Sequence, residues 1–164
     1  DASNQVLENM RRAQDQAMQA GDYSLEAGTG KFRTTRVFMV FDVANRSYQP
    51  FLWTDRNNDD TPDNGESLAI EGANILPGGI SFGTAHATKS ACSNSNASSS
   101  TRAVTFTAAA YQPCDGNPCV KFNKFGFLDR SGAIYMHNGE KSTAISPQLP
   151  GHMTMCTETN GVWN

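Results

Sequence analysis

The sequence predicts an α+β domain in which one N-terminal helix leans on a sheet-rich remainder. Three observations lead there. Only residues 3–20, SNQVLENMRRAQDQAMQA, sustain a helical period. Everything after them alternates short β-branched and aromatic runs with clusters of Gly, Pro, Asn and Asp. Charged residues make up only 18% while Ser, Thr, Asn and Gly are abundant, a balance common in secreted β-rich proteins. At 164 residues the chain is the size of a single domain and long enough for a real core.

Within the helix, Val6, Met10, Ala13, Ala17 and Ala20 recur at steps of four and three and share a face. Gln5, Glu8, Arg12, Gln16 and Gln19 take the opposite face. The apolar stripe is narrow and made mostly of small side chains, so the helix needs a sheet for support. Ser3 can cap its start, and Gly21 stands where a left-handed stop is common.

Residues 22–32, DYSLEAGTGKF, carry no period and read as a connector into the sheet. Arg36 to Val43, RVFMVFDV, is apolar on both faces, which predicts a buried central strand. Asn45-Arg46-Ser47 turns the chain, and Tyr48 to Trp53 returns as a hairpin strand in which Pro50 suggests an edge or bulge. Shorter strands are expected at 67–70 and 80–82, around the turn Leu76-Pro77-Gly78-Gly79. Residues 84–102 are dominated by Ser, Thr, Asn and Ala and cannot bury enough surface to order themselves. Five further strands are expected at 103–107, 120–127, 133–136, 143–145 and 152–157, the pattern of a sandwich or meander.

Four cysteines without paired C-x-x-C spacing point to an oxidising compartment. Three pairings are possible. Cys114 and Cys119 bracket the turn-forming Asp115-Gly116-Asn117-Pro118, which favours a local bridge there and a second between Cys92 and Cys156. No run reaches the roughly 18 apolar residues of a membrane span. The chain starts at Asp1 with neither Met nor a charged-then-apolar leader, and is expected to be part of a longer protein.

Phe122-Asn123-Lys124-Phe125-Gly126, then Gly132-Ala133-Ile134-Tyr135-Met136, then Ser142-Thr143-Ala144-Ile145-Ser146 and a closing strand near Trp163 resemble the H-type minor pseudopilins and FimT-like minor pilins. The succession carries the likeness, after a hairpin and a Leu-Pro-Gly-Gly turn at 76–79. It runs over nearly the whole chain. The resemblance implies a pilin-like fold, one N-terminal helix packed on an antiparallel two-sheet β domain. Residues 1–21 would be the C-terminal half of a longer helix and 22–164 the globular head. It implies a non-enzymatic structural subunit of a type IV pilus or type II secretion system. Its partners would be other pilins through the helix and the bacterial inner membrane through an upstream apolar segment. The head would lie in the periplasm or on a cell-surface pilus.

One constellation suggests metal chemistry. Residues 55–66, DRNNDDTPDNGE, place oxygen donors at loop positions one, three, five, nine and twelve, the spacing of a calcium loop. Asp55, Asn57 and Asp59, the Thr61 carbonyl, Asp63 and a bidentate Glu66 would supply the six to eight hard oxygens calcium takes. Five acids against Arg56 give −4 here, whereas the whole chain carries −3. Asp60 stands at position six, where such loops favour glycine. Pro62 and the preceding strand argue against a paired EF-hand and for an isolated, dockerin-like loop.

Other signals are weaker. Gly79-Ile80-Ser81-Phe82-Gly83 fits the nucleophile-elbow pattern, and Asp129 with His137 or His152 could complete a triad, but no helix is expected after Ser81. His86, His137 and His152 are isolated and expected to be ordinary strand or loop residues. Lys31, Arg33 and Arg36 form a small basic cluster that makes a DNA-binding module one rival reading, opposed by a pI near 5.5, and the Ser/Asn-rich loop makes a tip adhesin the other. No small-molecule substrate is expected. Asn45-Arg46-Ser47 and Asn96-Ala97-Ser98 match the glycosylation pattern but are given no role.

Overall fold

The computed structural model describes residues 1–20, 23–25, 32–85, 87–93 and 102–164. Helix α1 spans Ala2–Ala20. Its cap is Asp1 rather than Ser3: the Asp1 carboxylate accepts the Ser3 amide at 2.9 Å and its carbonyl accepts the Gln5 amide at 3.1 Å. A carboxylate suits the positive end of a helix better than a hydroxyl, and Ser3 is buried instead. Val6, Met10, Ala13 and Ala17 face the core as their spacing predicts, while Ala20 is only half-buried. Leu7 and Asn9 widen that face, and Asn9 donates to the Tyr48 hydroxyl at 2.9 Å. The expected Gly21 stop lies outside the described residues.

Among the described residues eleven strands follow, β1 (Tyr23–Leu25), β2 (Phe32–Asp42), β3 (Ser47–Thr54), β4 (Ser67–Ala69), β5 (Asn74–Ile75), β6 (Ser81–Phe82), β7 (Cys119–Phe122), β8 (Ile134–His137), β9 (Ser142–Gln148), β10 (His152–Thr159) and β11 (Val162–Trp163). They form two antiparallel sheets. In the first, β2 pairs with β3 on one side and shares its other side between β1 and β7, while β4 and β5 share the outer edge of β3. Pro50, which has no N–H, falls between the residues that β4 and β5 engage, and its carbonyl accepts the Ile70 amide at 3.0 Å. The second sheet runs β11-β10-β9-β8-β6.

Strand β2 is buried on both faces, as its composition requires. Val37, Met39 and Phe41 point toward α1 and join Ile134, Met136, Ile145 and Met153 of the second sheet in the largest core cluster. The helix therefore contacts β2 and β7 of one sheet and β9 and β10 of the other. Phe38 and Val40 point away and pack with Trp53 and the Cys114–Cys119 bridge. On the second sheet, Tyr135, Ala144 and Trp163 are covered by residues 87–93, strapped down by the Cys92–Cys156 bridge. Both disulfides thus join the expected partners.

Four expectations change. Residues 103–107 do not form a strand. Val104 and Phe106 are buried in alternation, but only Val104 bridges, to Ile134; the next pair along would be Phe106 with Gly132, whose amide donates to the Pro147 carbonyl at 3.1 Å instead. Strand β7 stops at Phe122 rather than 127, since the Asn123 side-chain oxygen captures the Phe125 and Phe127 amides at 2.9 and 3.0 Å. The connector contains β1, paired with the start of β2. The short strand β5 also adds to an edge where none was expected.

Candidate functional site

The acidic loop leaves the end of β3 and returns to β4, and the two ends are stitched together. The Thr54 amide donates to the Glu66 carbonyl at 2.9 Å, and the Asp55 amide to the Thr34 carbonyl at 2.9 Å. Two of the six expected ligands are buried, Asp55 at 3% exposure and Glu66 at 7%. Asn57, Asp59, Thr61 and Asp63 are exposed on the rim.

Both buried carboxylates face backbone amides. Asp55 accepts from Asn58 at 2.7 Å and Asp59 at 3.3 Å with one oxygen, and from Asp60 at 3.0 Å with the other. Glu66 accepts from the Arg56 amide at 2.7 Å, the Trp53 indole at 3.0 Å and the Asp63 amide at 3.1 Å. Burial pushes the Glu66 carboxyl up, but the donors from Trp53, Arg56, Asp63 and Asn57 together hold it below the ordinary glutamate range. On the rim, the Asn57 amide nitrogen donates to Asp59 at 3.0 Å and to Asp63 at 2.9 Å, bridging two acids.

Asp60, at the sixth position, has φ +57°, the left-handed conformation for which calcium loops use glycine. The side chains are arranged differently. Among the described residues, no three His, Cys, Asp or Glu side chains gather closely enough to hold a metal. The six candidates share one loop, but Asp55 and Glu66 are turned to loop amides, and an Asn57 N–H group stands between Asp59 and Asp63. The residues therefore match calcium in donor type and in the left-handed sixth position, and not in arrangement, because Asp55 and Glu66 are turned to loop amides and Asn57 sets an N–H group between two acids.

The elbow motif does not assemble a triad. Ser81 lies in β6 opposite His137 of β8. The His137 Nδ1 accepts the Gly139 amide at 3.3 Å, where a triad histidine would donate to a carboxylate. Asp129 accepts from Arg130 at 2.7 Å and from the Lys121 amide at 3.0 Å. His152 is exposed on β10, opposite Gln148. Of the basic cluster, Lys31 lies outside the described residues, and the Arg36 guanidinium donates to the Thr35 carbonyl at 2.8 Å. His86 and Asn96-Ala97-Ser98 also lie outside them.

Sequence reasoning missed the residues that fix these surfaces. Trp53 reads in the sequence only as a strand residue, yet its indole closes the acidic loop. Gln14 carries no sequence signal, yet its amide donates to the Gly126 carbonyl at 2.7 Å and the Gly151 carbonyl at 3.2 Å. A tryptophan two residues before an acidic loop is a usable signal for the first, because a buried indole N–H needs an acceptor. Nothing local signals the second. Comparisons with protein-family models, with curated proteins and with solved structures find no match to this chain.

Proposed function

We propose that this protein is a non-enzymatic structural subunit of a helical filament, a minor pilin or pseudopilin of a type IV pilus or type II secretion system. The observation that carries the reading is the placement of α1. One narrow face binds strands of both sheets, and Gln5, Glu8, Arg12 and Gln19 remain exposed along the opposite side. Such a helix can serve its own domain and still offer a face to neighbouring subunits. The order of turns and strands from Phe122 to Trp163 supports the same reading.

The acidic loop takes a structural part in this proposal, as a calcium-stabilised edge. Asp55, Asn57, Asp59, Asp63, Glu66 and the Thr61 carbonyl would hold the ion, with Asp55 and Glu66 released from the loop amides they now accept and Asn57 turning its oxygen inward. Bound calcium would supply charge neutralisation to a loop of net charge −4 and would stabilise the folded state by mass action. Melting in excess calcium against chelator tests this part: an unchanged midpoint removes calcium and leaves the assembly reading standing.

The assembly reading itself is tested by the gene sequence upstream of Asp1. A short basic leader and about 20 apolar residues are expected there. Their absence would overturn it.

A further inference from the structure

The dipeptide Asn-Gly occurs three times in the chain, at 64–65, 138–139 and 160–161. In each the asparagine is exposed and the glycine has a positive φ, +86°, +90° and +80° in that order. The covalent chemistry is the same at all three, and only their surroundings separate them. The backbone nitrogen that follows an asparagine can attack its side-chain amide when a base takes the N–H proton and donors hold the amide oxygen.

The turn between β8 and β9 supplies both. The Gly139 amide donates to His137 Nδ1 at 3.3 Å, so that nitrogen presents its lone pair and the ring proton sits on Nε2. The Asn138 side-chain oxygen accepts the amides of Glu140 at 3.0 Å and Lys141 at 2.8 Å, two donors on the atom where charge develops during attack. The Asn138 amide donates to the Lys141 carbonyl at 3.3 Å and closes the turn around these groups. The other two sites are less complete. The Gly161 amide meets the Glu158 carboxylate, and carboxylates are weaker bases than imidazole. Among the described residues no amide donates to the side-chain oxygen of Asn64 or Asn160.

We propose that Asn138 is a self-modification site, converted through a succinimide to aspartate and isoaspartate with His137 as the base. The Gly139 nitrogen bonds to the Asn138 side-chain carbonyl carbon while its proton passes to His137 Nδ1. The oxyanion so formed rests on the Glu140 and Lys141 amides. Its collapse breaks the bond to the side-chain nitrogen, which leaves as ammonia with the proton that His137 returns. Water then opens the cyclic imide at either carbonyl. The sum is a primary amide plus water giving a carboxylic acid plus ammonia, with no change of oxidation state. The product adds a negative charge to the formal −3 of the chain, and the isoaspartate form lengthens the backbone of the turn by a methylene. The reaction needs no partner and stands apart from the assembly reading.

Peptide mapping of the purified chain, incubated at neutral pH in buffer and in denaturant, tests it. In the folded chain position 138 should convert at least about tenfold faster than positions 64 and 160. It should also convert faster folded than denatured, where the three sites should converge. His137→Phe keeps a ring beside Gly83 and removes the base. It should bring position 138 down to the level of the other two sites and leave those unchanged. His137→Gln keeps an acceptor for the Gly139 amide without a base, and gives the same reading if phenylalanine disturbs the fold. The proposal is overturned if position 138 converts no faster than 64 and 160 in the folded chain, if it converts no faster folded than denatured, or if its rate is unchanged in a folded His137 variant.

Discussion

The side-chain amide of Gln14 donates to the carbonyl of Gly126 at 2.7 Å, across 112 residues of sequence. The same nitrogen reaches the Gly151 carbonyl, so one helical residue pins two turns from different strand connections. Gln14→Ala leaves both carbonyls without that donor and is expected to cost about 1–2 kcal/mol. Denaturant unfolding should show a lower midpoint at unchanged slope.

The glycines below Gln14 should be less tolerant. A Cβ on Gly126 would stand 2.9 Å from the Gln14 Cγ, at φ +71° where side chains are strained. A Cβ on Gly151 would stand 2.6 Å from the Gly126 carbonyl oxygen, a backbone atom that cannot swing aside. Gly126→Ala should cost about 1–3 kcal/mol, and the clash at Gly151→Ala should cost at least as much. Pairing Gly126→Ala with Gln14→Ala should recover part of the loss, since the closest atom is then removed.

The loop should respond to acid through Glu66. Its folded carboxyl lies below the ordinary value of 4.5, so its contribution is complete above that value. It is lost as pH falls through the lower folded value. Trp53 donates to that carboxylate, and its fluorescence should change over the same acidic window. Glu66→Gln should abolish the change and cost about 2 kcal/mol, lowering Tm by about 4–8 °C in a calorimetric scan.

The two disulfides should differ in weight. Cys92 and Cys156 are 64 residues apart, whereas Cys114 and Cys119 are five apart. Loop-closure entropy assigns about 4 kcal/mol to the first bridge and about 2 kcal/mol to the second. Replacing Cys92 and Cys156 by Ala should therefore lower Tm about twice as far as replacing Cys114 and Cys119.

The helix and the long hairpin were legible because their signals are local. Val6, Met10, Ala13 and Ala17 repeat at helical spacing, and the run through Val37, Phe38, Met39 and Val40 is apolar on both faces. The failures are of partnership. Val104 and Phe106 alternate as a strand should, but the neighbouring edge of β8 gives them one bridge. The helix cap moved to Asp1 and β7 ended at Asn123 because side-chain oxygens competed for free amides. In the acidic loop, donor spacing and the left-handed sixth position were readable. The inward turn of Asp55 and Glu66 was not, since it depends on Thr34 and Trp53, which spacing within the loop does not reveal.

In the proposed assembly the outer face of α1 binds other subunits. A photo-cross-linking residue at Glu8, in the full-length protein within its native cells, tests it most directly, with Val162 on β11 as the comparison position. Adducts are expected from Glu8 to other subunits of the same filament, and few from Val162. Adducts from Val162 with none from Glu8 would contradict it.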